Sequence, residues 1–158
     1  MNHPMRKKER ELSKTEALRI IEEGEYGVLS TCGADGYPYG VPLSYAYADG
    51  KLFFHGAFEG HKIENLSCSP KASFTVVGDT HVLTDIYSTA YESAIAFGNV
   101  HMNLDDEMKV YGLRLLVEKY TPDNPERGYS YAKKALPNTN VYYMEIEEIT
   151  GKRRGQGR

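Results

Sequence analysis

This 158-residue sequence has no tryptophan and only two cysteines. It also has no apolar run long enough to span a bilayer. Cys32 and Cys68 match neither a metal-binding spacing nor a disulfide framework. Two isolated cysteines suit a reducing compartment. The charged N-terminal segment also lacks the apolar stretch of a signal peptide. We therefore expect a cytoplasmic protein with no membrane segment.

An excess of positive charge is also missing, since the formal net charge is −3 at pH 7. A domain that binds nucleic acid is usually basic, so this composition argues against that class. Basic residues nevertheless cluster near both ends of the chain. We expect residues 1–12 to form a flexible arm and residues 152–158 a basic, solvated tail. Residues 13–151 then form one domain, which is long enough for a single hydrophobic core.

Four segments are predicted to be helical, namely residues 13–24, 61–67, 105–120 and 129–135. The first has the clearest signals, because Ser13 and Glu16 form a capping box and Gly24 is a common C-terminal stop. The third has the apolar spacing of an amphipathic helix. The proline-containing segment 121–125 is expected to end it.

Six segments are predicted to be strands, namely residues 26–32, 37–48, 51–55, 70–78, 93–103 and 141–149. Turns at Asp35-Gly36 and Asp49-Gly50 join the first three strands as antiparallel hairpins. Residues 79–90 show no clear pattern. The sequence therefore predicts a mainly β protein with added helices, in the form of a small antiparallel barrel.

The clearest chemical signal lies between the third predicted strand and the short helix after it. Gly56 and Gly60 allow the backbone to approach a ligand closely. A helix that begins near Gly60 presents free amides, and His61 and Lys62 add positive charge there. This combination suits a phosphate monoester. The alternative is a solvated surface loop, because the segment matches neither a Walker nor a Rossmann fingerprint.

Pro42 interrupts the second predicted strand. Proline has no backbone N–H and cannot donate to a strand ladder, so neighbouring backbone groups are not all committed to pairing. Free strand N–H and C=O groups could hydrogen-bond the pyrimidine edge of a flavin.

Residues 27–66 resemble the FMN-binding split-barrel superfamily that includes pyridoxamine 5′-phosphate oxidase, and the likeness extends through residues 93–100 to residues 145–154. The pieces GVLST, VPLSYAY, GKLFFHGAFEGHKIENL and SAIAFGNVH are most similar to the Nim-type branch, the 5-nitroimidazole resistance proteins. The resemblance implies a six-stranded antiparallel split β-barrel. It also implies a homodimer with FMN at the subunit interface.

The resemblance further implies which residues meet the cofactor. The isoalloxazine ring would be lined, mainly through backbone, by Val41, Pro42, Leu43 and Ser44. His55 and Gly56 would lie near the ribityl-phosphate end, while His61 and Lys62 replace an Arg-Lys phosphate pair. Ser93 stands where the oxidase has a flavin-contacting glutamine. Either His55 or His61 matches the pocket histidine of the Nim branch, and His55 is our candidate catalytic residue.

The implied function is FMN-dependent reduction of a small planar, nitroaromatic-like molecule. No nucleophile–base pair is visible in the sequence, and flavin chemistry requires none. The oxidase's C-terminal tryptophan and its Arg-His block are absent, so oxidation of vitamin B6 is not expected. The five histidines are scattered, so no metal site is expected. A non-catalytic flavin carrier or sensor and a haem-binding split barrel remain as alternatives.

Overall fold

The computed structural model describes residues 3–155, which form eight β-strands and four α-helices. The strands are β1 Glu11–Leu12, β2 Gly27–Cys32, β3 Pro38–Leu43, β4 Ala46–Ala48, β5 Lys51–Gly56, β6 Lys71–Leu83, β7 Ser88–His101 and β8 Asn140–Arg154. The helices are α1 Lys14–Glu23, α2 His61–Cys68, α3 Asp106–Tyr120 and α4 Pro125–Ala135.

All eight strands belong to one antiparallel sheet in the order β3-β2-β6-β7-β8-β5-β4, with β1 added alongside β8. The predicted split-barrel architecture, mainly antiparallel β with added helices, is confirmed. Two short strands, β1 and β4, bring the six predicted strands to eight. Strand β3 ends the sheet order and, within residues 3–155, pairs only with β2, so no described strand covers its other edge.

The predicted strand over residues 37–48 is in fact two strands, β3 and β4. The break falls at Ser44 and Tyr45. The backbone N–H of Tyr45 donates to the hydroxyl of Tyr120 at 3.0 Å rather than to a neighbouring strand. A side chain from α3 therefore replaces the ladder bond, which the sequence pattern alone does not reveal.

The segment after α3 was assigned wrongly in one respect. Residues 121–125 end α3 as predicted, but the next helix begins at Pro125 rather than near Tyr129, with Asn124 as its cap. The Asn124 side chain accepts from the Arg127 N–H at 3.3 Å. Proline suits the first helical position because the N–H it lacks has no intrahelical partner there.

Both predicted terminal segments are partly ordered. Residues 152–154, expected in a basic tail, continue β8, and Lys152 pairs with Ser93 of β7. Arg153 is held by ion pairs to Glu16 and Glu92, both at 3.0 Å, which explains why this basic residue is not simply solvated. In the predicted arm, β1 pairs with β8. The remainder of the predicted arm and tail, residues 1–2 and 156–158, lies outside the described residues.

The main core lies between α1 and the sheet. The predicted capping box is confirmed at Ser13 and Glu16, and the buried face of α1 contributes Ala17, Ile20 and Ile21. A second, smaller cluster packs α3 and α4 against Ala46 and Val141. No helix within residues 3–155 is long and apolar enough to cross a bilayer.

Candidate functional site

The bend between β5 and α2 forms where the sequence predicts it. Strand β5 ends at Gly56 and α2 begins at His61. Gly60, at the helix N-cap, has a φ of +119°, a conformation that favours glycine. The N–H groups of Ile63 and Glu64 both donate to the Gly60 carbonyl. The amides of His61 and Lys62 precede the helix's own hydrogen-bond ladder and have no partner within it.

Lys62 folds back over the end of β5. A Cβ built on Gly56 would lie 3.6 Å from the Lys62 Nζ, an ordinary contact distance, so the ammonium group lies directly beside this glycine. The Lys62 side chain is partly buried. The structure therefore brings Gly56 and Lys62 together, as the sequence predicts, with the first amides of α2 in the same bend.

His61 connects the bend to strand β3. Its imidazole packs on the ring of Tyr39, with ring centroids 4.1 Å apart and planes tilted by 35°. Tyr39 lies on the strand that also carries Val41, Pro42 and Leu43. The helix start and the predicted flavin-lining strand are thus neighbours. Tyr39 was not among the predicted site residues, because only the fold brings it to His61.

A buried hydrogen bond fixes α2 against the sheet. The Asn65 Nδ2 donates to Thr31 Oγ1 of β2 at 3.1 Å, and both residues are buried. A Cβ on Gly33 would lie 2.4 Å from Asn65 Oδ1, so glycine is needed for this close approach. The sequence analysis did not predict that Asn65 positions α2. The one indication in the sequence was that Asn65 belongs to the segment GKLFFHGAFEGHKIENL, which carries the family resemblance.

The predicted site residues at the end of β3, together with Ser44 just after it, alternate between two faces of the sheet. Val41 and Leu43 pack against the main core, whereas Pro42 and Ser44 are exposed. Because β3 ends the sheet order, it has backbone groups along one edge that no other strand of the described chain uses. Val41 and Leu43 are only partly buried, and the edge that no described strand covers adds unpaired backbone groups beside them.

A cleft of about 810 Å³ opens beside these residues, between α3, α4 and the ends of β3 and β5. Ser44 and His55 line one side, and helical residues such as Leu116, Val117 and Tyr131 line the other. The His55 side chain is exposed to the cleft, and desolvation by the surrounding protein lowers its pKa. This shift favours the neutral imidazole over the imidazolium.

A hydrogen-bonded clasp supports the wall of this cleft. The Tyr120 hydroxyl, which lines the cleft, accepts from the Tyr45 N–H and donates to the Glu25 carbonyl. Next to it, Lys119 Nζ donates to the Gly24 carbonyl at 2.7 Å and lies 3.8 Å from the Tyr45 ring centroid. Partial burial lowers the pKa of Lys119 to about 8. Neither residue was singled out by the sequence.

Ser93 is the one predicted site residue that lies apart. It sits on β7 in a separate cavity of about 260 Å³ that it shares with Lys152, Gly151 and Glu11. Within one chain, as far as residues 3–155 show, Ser93 does not join the bend or the cleft. These described residues also contain no group of three histidine, cysteine or acidic side chains arranged to hold a metal ion.

Comparison with known proteins links this geometry to a family. Residues 13–153 match the family model described as pyridoxamine 5′-phosphate oxidase. A solved structure of a candidate 5-nitroimidazole antibiotic resistance protein from Bacteroides thetaiotaomicron is 27% identical, with a TM-score of 0.78 over 90% of this chain and 86% of that one. No curated protein matches the sequence significantly.

Two further structures share the fold at lower identity. A FAD-binding protein from Mesorhizobium loti is 24% identical, with a TM-score of 0.65 over 92% of this chain and 98% of that one. A flavocytochrome from Azotobacter vinelandii is 19% identical, with a TM-score of 0.81 over 98% and 73% of the two chains. At such identities the likeness establishes architecture only. The family match spans nearly the whole chain, and this protein therefore belongs to the pyridoxamine 5′-phosphate oxidase family.

Proposed function

We propose that this protein is an FMN-dependent oxidoreductase that acts as a homodimer on a small planar, nitroaromatic-like molecule. The observation that carries the proposal is the bend between β5 and α2. There the Lys62 ammonium lies beside Gly56, and the first amides of α2 belong to the same bend. A phosphate monoester needs this arrangement of positive charge and free N–H groups.

The phosphate would be held by Lys62 and by the amides of His61 and Lys62. A charge-assisted hydrogen bond from Lys62 contributes about 1.5–3 kcal/mol to binding. His61, packed on Tyr39, would add positive charge only when protonated. The bend thus favours FMN over riboflavin, which has no phosphate.

The ring of the cofactor would lie along the open edge of β3, against the backbone of residues 41–44. Pro42 is exposed on that strand and has no N–H group, so an aromatic ring that packs on it would leave no proline donor unpaired. Bound FMN would supply the electron or hydride transfer. Ser44 and His55 lie where this strand meets the cleft, so they would orient a molecule that enters from it. His55, whose lowered pKa favours the neutral imidazole, would accept a hydrogen bond or a proton at its ring nitrogen.

A dimer accounts for the position of Ser93. Ser93 lies in its own cavity, away from the bend of the same chain, so we propose that it meets the FMN held mainly by the other subunit. Exposed apolar side chains on the β6–β7 hairpin, among them Val82 and Tyr87, favour an interface on that part of the sheet. Both cysteines are free and exposed, which suits the reducing cytoplasm.

The test is the absorbance spectrum and mass-identified ligand of the purified protein, followed by steady-state oxidation of NAD(P)H with a nitroaromatic acceptor. Bound FMN, acceptor-dependent turnover and a dimer in sedimentation are the expected results. A Soret band in place of flavin bands would contradict the cofactor assignment. Tightly bound FMN without turnover of any acceptor would contradict the enzymatic assignment and favour a flavin carrier.

A further inference from the structure

The cleft between α3 and α4 has the size and lining of a small-molecule pocket. Its volume of about 810 Å³ lies within the range of pockets that enclose drug-sized ligands. The walls are largely apolar, with Leu113, Leu116 and Val117 from α3 facing Ala132 and Tyr131 from α4. These side chains suit an aromatic or aliphatic body rather than a sugar or a nucleotide.

The charge of the cleft has one sign. Among its lining residues, as the described chain gives them, none is aspartate or glutamate, and the one fixed charge is the guanidinium of Arg127. The N-terminus of α4, capped by Asn124, opens onto the same cleft and adds a partial positive charge. An anionic group is therefore favoured at this end.

Arg127 is free to receive such a group. Its backbone N–H is bound to Asn124, but its side chain makes no hydrogen bond or ion pair with any residue in the range 3–155. Arg114 on the neighbouring helix differs, since its guanidinium lies 5.0 Å from the Tyr129 ring centroid. An unpaired guanidinium beside an apolar cavity matches the planar geometry of a carboxylate.

The opposite wall of the cleft is formed by Ser44 and His55, the residues that also border the proposed cofactor site. A ligand with its apolar body between α3 and α4 would therefore have one end near Arg127 and the other toward the flavin. We infer that the cleft binds aromatic carboxylates and that Arg127 is the residue that selects for the carboxylate. That such a molecule is also the reducible substrate rests on the proposed function, whereas its binding does not.

The experiment compares 4-nitrobenzoate with its neutral analogue 4-nitrobenzamide. Dissociation constants are measured by ligand-detected NMR, with the FMN-free and the FMN-loaded full-length protein. Wild-type protein is expected to bind nitrobenzoate about tenfold more tightly than nitrobenzamide, because only the former accepts charge-assisted hydrogen bonds. Arg127→Met is expected to remove this preference by weakening nitrobenzoate alone, and Arg127→Lys to keep part of it.

Arg114→Met is the matched control, since it removes an equal charge from the neighbouring helix but outside the cleft, and it should leave both affinities unchanged. Equal affinity of the two ligands for wild-type protein would overturn the inference. So would a preference that survives in Arg127→Met or falls as far in Arg114→Met. Failure to take up FMN would contradict the proposed function, while a nitrobenzoate preference in the same FMN-free protein would still support the cleft assignment.

Discussion

The bend between β5 and α2 and the cleft between α3 and α4 are neighbours, yet the chain builds them in different ways. The bend is continuous, since every group that would meet a phosphate lies within residues 55–62. The cleft gathers residues that extend along the chain from Ser44 to Thr139. The groups of a continuous turn are neighbours in the sequence, whereas a cleft forms only after the helices and the sheet have packed.

The two regions also differ in what binds. The bend offers backbone amides and an ammonium group, whose positions depend on glycine conformation and on a short helix. The cleft offers apolar side chains with a single guanidinium at one end. The bend therefore suits a group that many cofactors share, and the cleft suits whatever molecule is particular to this protein.

The largest expected effect comes from removing the charge at the bend. Lys62→Ala should weaken FMN binding by about 1.5–3 kcal/mol, because it removes a charge-assisted hydrogen bond to phosphate. The affinity for riboflavin should hardly change. Fluorescence titration of both flavins measures this difference. Lys14, which is exposed at the start of α1, gives the control Lys14→Ala.

Removing the Tyr120 hydroxyl should destabilise the protein, because this group holds the wall of the cleft in place. Tyr120→Phe leaves the buried Tyr45 N–H without its acceptor, so the free energy of unfolding should fall by about 1–3 kcal/mol. Tyr142→Phe is the matched control. Its hydroxyl is buried and has no protein partner among the described residues, so its removal should leave stability unchanged or slightly raised. Urea denaturation of both variants checks the contrast, and equal losses would contradict it.

A larger side chain at Gly56 tests how closely Lys62 must approach the end of β5. Gly56→Val adds two methyl groups beyond a Cβ that already contacts Lys62 Nζ, and it should weaken FMN binding by about tenfold, or 1.4 kcal/mol. Gly56→Ala should be tolerated, because its Cβ would lie 3.6 Å from Nζ, an ordinary contact distance. If both variants bound FMN as the wild type does, Lys62 would not need the space that glycine leaves.

The smallest expected effect concerns pH. Desolvation lowers the pKa of His55 in the folded chain below its ordinary value of 6.5. Between the two pKa values the unfolded chain binds more protons, so stability falls as pH drops through 6.5 toward the folded value. His55→Gln should lack this part of the decline. The difference in unfolding free energy between wild type and variant, followed by urea denaturation over this pH range, should change; a constant difference would contradict the lowered pKa.

The same contrast explains what the sequence predicted. The capping box of α1, the bend and its glycines depend on neighbours in the chain, and they were found. The split of β3 from β4 was missed because Tyr120, 75 residues away, takes the Tyr45 N–H. The end of β8 was missed because Arg153 finds Glu16 and Glu92 only in the fold. The cleft had no signal at all, since it is formed by packing between distant segments.

The most direct test of the central claim is a crystal structure of the protein with FMN bound. The account predicts phosphate oxygens within about 2.7–3.2 Å of Lys62 Nζ and of the first amides of α2, with the ring along β3. A phosphate group located anywhere else, for example beside Arg127 in the cleft between α3 and α4, would contradict it.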